Sequence, residues 1–238
     1  NGYLTKLIFP ILLFGWMVDR YQRGIASMRR IDAVIEEIPD IEDADDVVDI
    51  DTIRGEVEFR SLNFAYQGTE VLRDINLKIP AGSTLALVGR VGTGKTTLAR
   101  LIPRLIQAGE GQVLIDGIPV EKIPLQVLRK HIGVVPQDPF LFSDTLRENI
   151  ALGVADATDE DIEWAMEASQ LADDLADFPH GLKTVVGERG VTLSGGQKQR
   201  TALARAVIRR PSILILDDAM ASVDTHTEEE ILKRLKAV

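Results

Sequence analysis

Alternating apolar and polar positions in the first part of the chain predict β-strands. The stretch GEVEFRSLNFAY, which begins at Gly55, alternates in this way and predicts one strand. The stretch VLRDINLKIPAGSTLALVG predicts a second strand, a Pro-Ala-Gly turn and a buried strand, Thr84–Val88. GQVLIDGIPV predicts a hairpin that turns at Asp116 and Gly117.

The rest of the chain switches between short apolar runs and helical spacing. IGVVPQ predicts a strand that ends at Pro136, and SILILD predicts a strand with both faces covered. LSGGQKQRTALARAVIRR predicts a helix with Ser194 as its N-cap and Pro211 as its stop, and THTEEEILKRLKAV predicts a last helix. Residues 159–176 also have helical spacing, at Ile162, Ala165, Met166, Ser169 and Leu171. This alternation predicts an α/β domain with a largely parallel core sheet.

Composition divides the chain into three zones. Residues 1–35 are expected to be helical, residues 36–54 to form an acidic linker, and residues 55–238 to form the folded domain. Ile35–Asp51 contributes much of the acidic excess behind the net charge of -10. That charge argues against non-specific binding to nucleic acid, which needs a basic surface. The chain has no cysteine, which excludes disulfides and thiolate metal sites and fits a reducing compartment.

An apolar run near the N-terminus, Tyr3–Val18, is interrupted by Lys6 and Pro10. It is shorter than the roughly 20 apolar residues that cross a bilayer. Basic residues follow the run, as they do at the cytoplasmic end of a transmembrane helix, namely Arg20, Arg23, Arg29 and Arg30. The pattern favours the end of such a helix, and the alternative is an amphipathic helix packed on its own domain.

A glycine-rich loop, GRVGTGKT, follows the predicted strand Thr84–Val88 and precedes a predicted helix. It fits the phosphate-binding P-loop pattern G-x-x-x-x-G-K-[ST] at every fixed position. Glycines let backbone N–H groups turn toward phosphate oxygens, and the helix N-terminus adds partial positive charge. Lys95 is expected to reach the β- and γ-phosphates, and the Thr96 hydroxyl to bind Mg²⁺. The candidate nucleotide contacts are Gly89, Arg90, Val91, Gly92, Thr93, Gly94, Lys95, Thr96 and Thr97.

Two adjacent aspartates, Asp217 and Asp218, end the apolar run ILIL. In P-loop enzymes an acid in this position holds Mg²⁺ beside the P-loop threonine, which gives Asp217 a metal-binding role. The alternative for Asp217 is a helix cap, which the upstream P-loop disfavours.

The motif LSGGQ, Leu193–Gln197, resembles the signature of ATP-binding-cassette (ABC) ATPases, and it follows the P-loop and precedes the acid pair in that family's order. The resemblance covers about residues 55–238. It implies a P-loop NTPase cassette with a RecA-like parallel core sheet, an antiparallel β subdomain and a helical subdomain, preceded here by a helical segment. It also implies ATP and Mg²⁺ as cofactors.

Smaller segments also resemble the cassette family. Tyr66 resembles the aromatic residue that stacks on adenine, although its position taken alone favours a packed strand tyrosine. Gln137 resembles the Q-loop glutamine, which touches Mg²⁺ and the attacking water. The segment Gly187–Gly190 resembles the loop through which exporter cassettes meet their membrane domains. Ser222–Asp224 resembles the D-loop at the dimer interface, which makes Asp224 a candidate nucleotide-proximal residue.

The resemblance implies a second cassette as partner. In this family two cassettes pair head to tail, and the signature of one covers the ATP of the other. Residues Ser194, Gly195, Gly196 and Gln197 are therefore expected to serve the partner's nucleotide. The segment RGIASMRRIDAVIEEIPDI resembles the connection from a last transmembrane helix into a fused exporter half, with the cassette on the cytoplasmic face of the cell membrane and no nucleic-acid partner. The alternatives are a soluble cassette that acts on ribosomes or DNA and a regulatory ATP-binding module.

Asp218 departs from the family pattern, which has a catalytic glutamate at this position. Aspartate is one methylene shorter, so its carboxylate retreats by about 1 Å, and such a misplacement can cost roughly 100-fold in rate. We therefore expect this chain to bind Mg-ATP well, to hydrolyse it poorly, and to pair with a different chain that carries the glutamate. The alternative is a homodimer in which aspartate suffices.

The C-terminal end is expected to lack part of the cassette. In the family a switch histidine lies on a strand beyond the position of Val238. The histidines present, His131, His180 and His226, are expected to be surface or structural residues.

Overall fold

The computed structural model describes residues 2–187 and 193–237, apart from the side chains of residues 4–7 and 237. The chain forms two compact units, Asn1–Glu42 and Asp43–Val238. Most of the segment Gly187–Gly190, predicted to meet membrane domains, lies outside the described residues.

The first unit contains helix α1, Gly2–Ile35, which confirms the predicted N-terminal helix. Its large apolar side chains are exposed, among them Phe9, Ile11, Leu12, Phe14 and Trp16. Arg20 lies over the Trp16 ring at 5.0 Å from the centroid. Within the part of the chain that the structure describes, no helix combines the length and apolar content that crossing a bilayer requires.

The second unit begins with a four-stranded antiparallel sheet in the order β2-β1-β3-β4. Its strands are β1 Val57–Tyr66, β2 Thr69–Ile79, β3 Val113–Ile115 and β4 Ile118–Pro119. The predicted hairpin is confirmed, because Asp116 and Gly117 form the tight turn with φ of 52° and 79°. A two-residue turn of this kind needs left-handed backbone, which Asp and Gly adopt most readily.

A two-stranded parallel sheet, β5 Ile132–Val135 and β6 Ile213–Leu216, lies between the two hydrophobic clusters of this unit. Alternate side chains point to opposite sides: Ile213 and Ile215 pack with the antiparallel sheet, and Leu214 and Leu216 pack with the helices. Both faces of β6 are thus covered, as the continuous apolar run predicts, but its residues are only half-buried.

The predicted buried strand Thr84–Val88 is wrong in this structure. These residues are not in a strand and do not pair with β5 or β6, and Val88 is 94% exposed. Because its backbone lacks a ladder partner, the segment does not bury its apolar side chains. In the described part of the chain, β6 pairs with β5 alone.

Helices cover the rest of the unit. The α-helices are α2 Lys95–Leu101, α3 Leu125–Lys130, α4 Leu146–Ala151, α5 Asp159–Ala168, α6 Gly195–Val207 and α7 Thr225–Ala237. The 3₁₀ helices are Val120–Lys122, Ala172–Asp177 and Gly181–Lys183. The helix predicted over residues 159–176 is confirmed as far as Ala168, and a turn then separates it from the 3₁₀ helix Ala172–Asp177. All five positions of the predicted spacing are buried: Ile162, Ala165, Met166, Ser169 and Leu171.

The second half of the predicted acidic linker is attached to the folded unit. The Asp43 carboxylate accepts a hydrogen bond from the Leu125 amide at 2.7 Å, and Asp46 pairs with Lys122. Ile53 is buried, and its carbonyl accepts a hydrogen bond from Ser212 Oγ at 2.6 Å. These acidic side chains therefore satisfy backbone and cationic groups of the domain.

Gly133 on β5 provides a test of this packing, because α6 crosses the sheet there. A Cβ at Gly133 would lie 2.9 Å from the Ala206 carbonyl oxygen and from Pro211 Cγ. We expect Gly133→Ala to lower the free energy of unfolding by about 1–3 kcal/mol through overpacking, as measured by urea denaturation. Gly109→Ala is the matched control, because its Cβ would meet only the flexible end of Gln112. Equal stability of the two variants would contradict the close approach of α6.

Candidate nucleotide-binding site

The loop Gly89–Thr96 leads directly into α2, whose N-cap is Gly94. Gly94 has φ of 89°, and a Cβ there would lie 2.7 Å from Leu72 Cδ2. Gly92 also has a positive φ, of 83°. Both conformations favour glycine, and they turn the backbone sharply where the P-loop pattern requires it.

The side chains of the loop close it on itself. Lys95 Nζ donates to the carbonyl oxygens of Gly89 and Arg90 at 2.7 and 2.9 Å. Thr93 Oγ1 donates to the Arg90 carbonyl at 2.9 Å. The ammonium group thus lies over the curve of the loop. Val91 is exposed, whereas Thr97 is buried.

Thr96 and Asp217 meet, although 121 positions separate them in the sequence. Thr96 Oγ1 donates to Asp217 Oδ1 at 3.0 Å. The Asp217 amide continues the parallel ladder by donating to the Val135 carbonyl at 2.9 Å. Both residues line a pocket of about 460 Å³ that Gln137 also lines. The structure therefore brings together all three predicted metal-binding residues.

Asp218 is exposed beside this pocket, and its backbone is left-handed, with φ of 52°. Aspartate tolerates this conformation better than most residues with a side chain. Gln137 Nε2 donates to Asp218 Oδ2 at 3.3 Å. The two residues predicted to be catalytic are thus in contact.

The motif LSGGQ lies at the start of α6. Ser194 is the N-cap, and with Gln197 it forms a reciprocal capping box, which confirms the predicted cap. Gly195 and Gly196 approach Ser222 closely: an added Cβ would lie 3.2 Å from Ser222 Cβ and 3.1 Å from the Ser222 carbonyl oxygen, respectively. This close packing favours small residues at both positions.

Sequence reasoning missed Gln199, which ties this motif to the segment Ser222–Asp224. Its buried amide oxygen accepts a hydrogen bond from the Ser222 backbone N–H at 2.9 Å. A signal was available, because Gln199 precedes the buried residues Ala202 and Leu203 by three and four positions.

Two further predicted contact residues are placed by local interactions. Asp224 caps α7, since its Oδ1 accepts from the Thr227 backbone N–H at 3.0 Å, and this bond lowers the pKa of the Asp224 carboxyl. Tyr66 ends β1 with 42% of its surface exposed, and its ring meets Phe64 edge-on at 4.8 Å. An exposed ring so supported could stack on a flat apolar ligand face.

The sequence profile of the ABC transporter family matches residues 72–221. This chain belongs to the ABC transporter family. The matched part contains the P-loop, LSGGQ and Asp217, so the resemblance drawn from these motifs is confirmed. The mixed α/β cassette fold is confirmed as well, and the chain contains the ATP-binding domain of an ABC transporter.

Curated relatives share its sequence over nearly the whole chain. It is 46% identical to the ABC transporter ATP-binding protein YwjA of Bacillus subtilis over 98% of this chain and 41% of that protein. It is 42% identical to an ATP-dependent lipid A-core flippase of Syntrophus aciditrophicus, over 99% of this chain and 40% of that protein. It is also 42% identical to the multidrug resistance-like ATP-binding protein MdlA of Escherichia coli, over 98% and 40% respectively. The chain thus spans about two fifths of these relatives.

A solved structure of a bacterial Atm1-family ABC exporter with ATP bound is also similar. It superposes with a TM-score of 0.86 at 37% sequence identity, over 100% of this chain and 42% of that one. The likeness covers the helical N-terminal segment together with the cassette.

The donor set of the ABC cassette fits Mg²⁺. Thr96 and Asp217 present a hydroxyl and a carboxylate oxygen to one another, and hard oxygen ligands suit this ion. In the described part of the chain no cluster of three or more His, Asp or Glu forms a metal cage. Mg²⁺ is usually held by one or two protein groups together with phosphate. When bound, the ion would neutralise charge on the phosphates.

Thr96 provides the test of this assignment. We expect Thr96→Val to weaken Mg-ATP binding by about tenfold or more, because it removes a charge-assisted hydrogen bond and a metal ligand. Thr96→Ser keeps the hydroxyl and should bind as wild type does. Titration calorimetry with Mg-ATP, and with ATP in EDTA, measures both. If Thr96→Val lost no magnesium-dependent affinity, Thr96 would not be a ligand.

Proposed function

We propose that this cassette binds Mg-ATP at its own P-loop, hydrolyses it slowly there, and completes a faster site on a different partner chain. The assembly is one ABC exporter made of two unlike halves. The observation that carries the proposal is Asp218, which stands where the family has glutamate.

The local geometry supports a weak base at this position. Asp218 is held by its left-handed backbone and by the contact of its carboxylate with Gln137 Nε2. Its side chain is one methylene shorter than the glutamate of the family, so the carboxylate falls about 1 Å short of the position that a glutamate would reach. A misplacement of about 1 Å can lower the rate roughly 100-fold. We therefore propose that the short reach of the Asp218 carboxylate slows hydrolysis at this site.

The signature half of the chain is intact. Ser194, Gly195 and Gly196 stand at the start of a helix of 13 residues, where an anion is favoured. We assign them, together with Gln197 and Asp224, to the nucleotide bound on the partner's P-loop. An intact signature beside a weakened base is the combination expected of one half of an asymmetric pair.

The nucleotide roles follow from the loop and its surroundings. The backbone and Lys95 hold the phosphates, Tyr66 stacks on the adenine, and Thr96, Asp217 and Gln137 hold Mg²⁺. The support is the contact between Thr96 and Asp217 and the exposure of the Tyr66 ring.

The N-terminal helix supports membrane attachment. Its apolar residues from Phe9 to Met17 are exposed, and Arg20 and Arg23 follow them. We propose that residues 1–35 continue from a transmembrane helix, that residues 36–54 link it to the cassette of residues 55–238, and that the cassette faces the cytoplasm. Relatives named as a flippase and as a multidrug resistance-like protein support export.

A homodimeric exporter is the second candidate. It is favoured by the contact of Asp218 with Gln137, which leaves a carboxylate in the catalytic position. In that case aspartate would serve as the base in both sites.

Two substitutions at Asp218 separate the candidates. In the full-length gene product alone, we expect slow ATP turnover, and Asp218→Glu should raise it about tenfold or more by restoring reach. Asp218→Asn keeps side-chain length and removes the base, so it should leave the slow rate within about twofold of wild type. Steady-state phosphate release measures all three proteins.

Addition of the partner half completes that experiment. Wild type with the partner should turn over ATP much faster than either chain alone. Brisk turnover by the wild type alone, abolished by Asp218→Asn, would show instead that Asp218 is an adequate base and that the homodimer is correct.

A further inference from the structure

A half-buried arginine on α6, Arg205, holds the segment that follows Gln137. Its Nη1 donates to the Phe140 carbonyl at 2.7 Å, and its Nε donates to the Asn149 carbonyl at 2.7 Å. Its Nη2 donates to Asn149 Oδ1 at 2.8 Å. All three acceptors are neutral. The guanidinium group therefore links two separate segments of the chain through hydrogen bonds and not through an ion pair.

Asn149 holds the whole loop between Phe140 and Thr145, and Arg205 and Asn149 together are called the clamp below. Its side chain is almost fully buried. Its Oδ1 accepts from the Phe142 amide at 2.9 Å, and its Nδ2 donates to the carbonyls of Phe142 and Thr145 at 2.9 and 3.0 Å. Asn149 therefore fixes the loop, and Arg205 fixes Asn149 to α6.

The clamp joins parts that serve two different ATP sites. Gln137, in contact with Asp218, lies three residues before Phe140. Ser194 lies at the other end of α6, about 16 Å from Arg205 at 1.5 Å per residue. A rigid helix transmits displacement along its axis, so the loop and the signature motif cannot shift independently while the clamp holds.

The chemistry of the clamp suits a mechanical role. Burial lowers the pKa of the Arg205 guanidinium, which reflects the cost of holding a charge among neutral acceptors. Lysine could not replace it, because one ammonium group cannot reproduce the planar fork that spans the carbonyls of Phe140 and Asn149.

We propose that Arg205 is a positioning residue for ATP hydrolysis: together with Asn149 it fixes the loop 140–145 to α6, so that Gln137 and the signature motif move as one body. Arg205 and Asn149 touch no nucleotide in this assignment, and they act through the residues that they hold.

The test measures geometry and kinetics together in the full-length gene product assembled with its partner half, because the proposed function assigns the signature motif to the partner's nucleotide. The chain has no cysteine, so Asp138→Cys and Arg209→Cys, both at exposed positions, take spin labels on the loop side and at the end of α6. With the clamp intact, the distribution of distances between the two spin labels, measured by double electron–electron resonance, should be narrow. Arg205→Met and Arg205→Lys should broaden it.

The kinetic expectation is a loss in kcat of about tenfold to a hundredfold with KM for ATP within about twofold, because the P-loop contacts are untouched. Asn149→Asp keeps the acceptor for Arg205 and loses the amide donors, so it should give an intermediate effect. Asn149→Asp also allows the same two measurements to be made if Arg205→Met does not fold.

Arg129→Met is the matched control. Arg129 likewise donates to backbone carbonyls, those of Pro103 and Arg104, which belong neither to the loop nor to α6. Its removal should leave the labelled distance narrow and kcat within about twofold. If the Arg205 variants kept a narrow distribution, or if they lost kcat no more than Arg129→Met does, the proposal would be overturned.

Discussion

The hydrogen bond between Thr96 and Asp217 is the constraint on which the site depends. It requires the start of α2 and the end of β6 to meet, although they are far apart in sequence. The meeting holds only if β6 pairs with β5 in the observed register and if α6 packs closely on Gly133. A one-residue slip of β6 would turn Asp217 to the opposite face and place Asp218 against the threonine. The packing of the core thus decides which of the two aspartates meets Thr96.

Features that short-range chemistry decides were predictable from the sequence. The Ser194 cap, the turn at Asp116 and the buried stripe of α5 each depend on residues within about four positions of one another. The P-loop and the motif LSGGQ were predictable because glycines at those spacings rarely occur outside phosphate-binding sites. The contact between Thr96 and Asp217 was predictable from the Mg²⁺-binding role proposed for both residues.

Long-range packing decided the rest. The segment Thr84–Val88 is apolar enough for a buried strand, but a strand forms only when a ladder partner is aligned with it, and here none is. Gln199 and Arg205 are polar residues on a helix, and their partners Ser222 and Phe140 lie in distant loops. Nothing in the spacing of the sequence identifies such partners. The attachment of Asp43 and Asp46 to the domain could not be predicted either, because their partners are distant in sequence and acidic runs usually indicate solvated linkers.

In the function proposed here, the two functional halves of the cassette are physically joined but serve different nucleotides. The measurement that tests this division most directly is nucleotide trapping with vanadate in the full-length protein together with its partner half. A photoreactive ATP analogue is turned over, trapped and crosslinked, and the labelled peptide is identified. The account predicts label on the partner's P-loop and little on the peptide that contains Gly89–Thr96. Equal labelling of both P-loops would contradict it, because trapping requires hydrolysis at the labelled site.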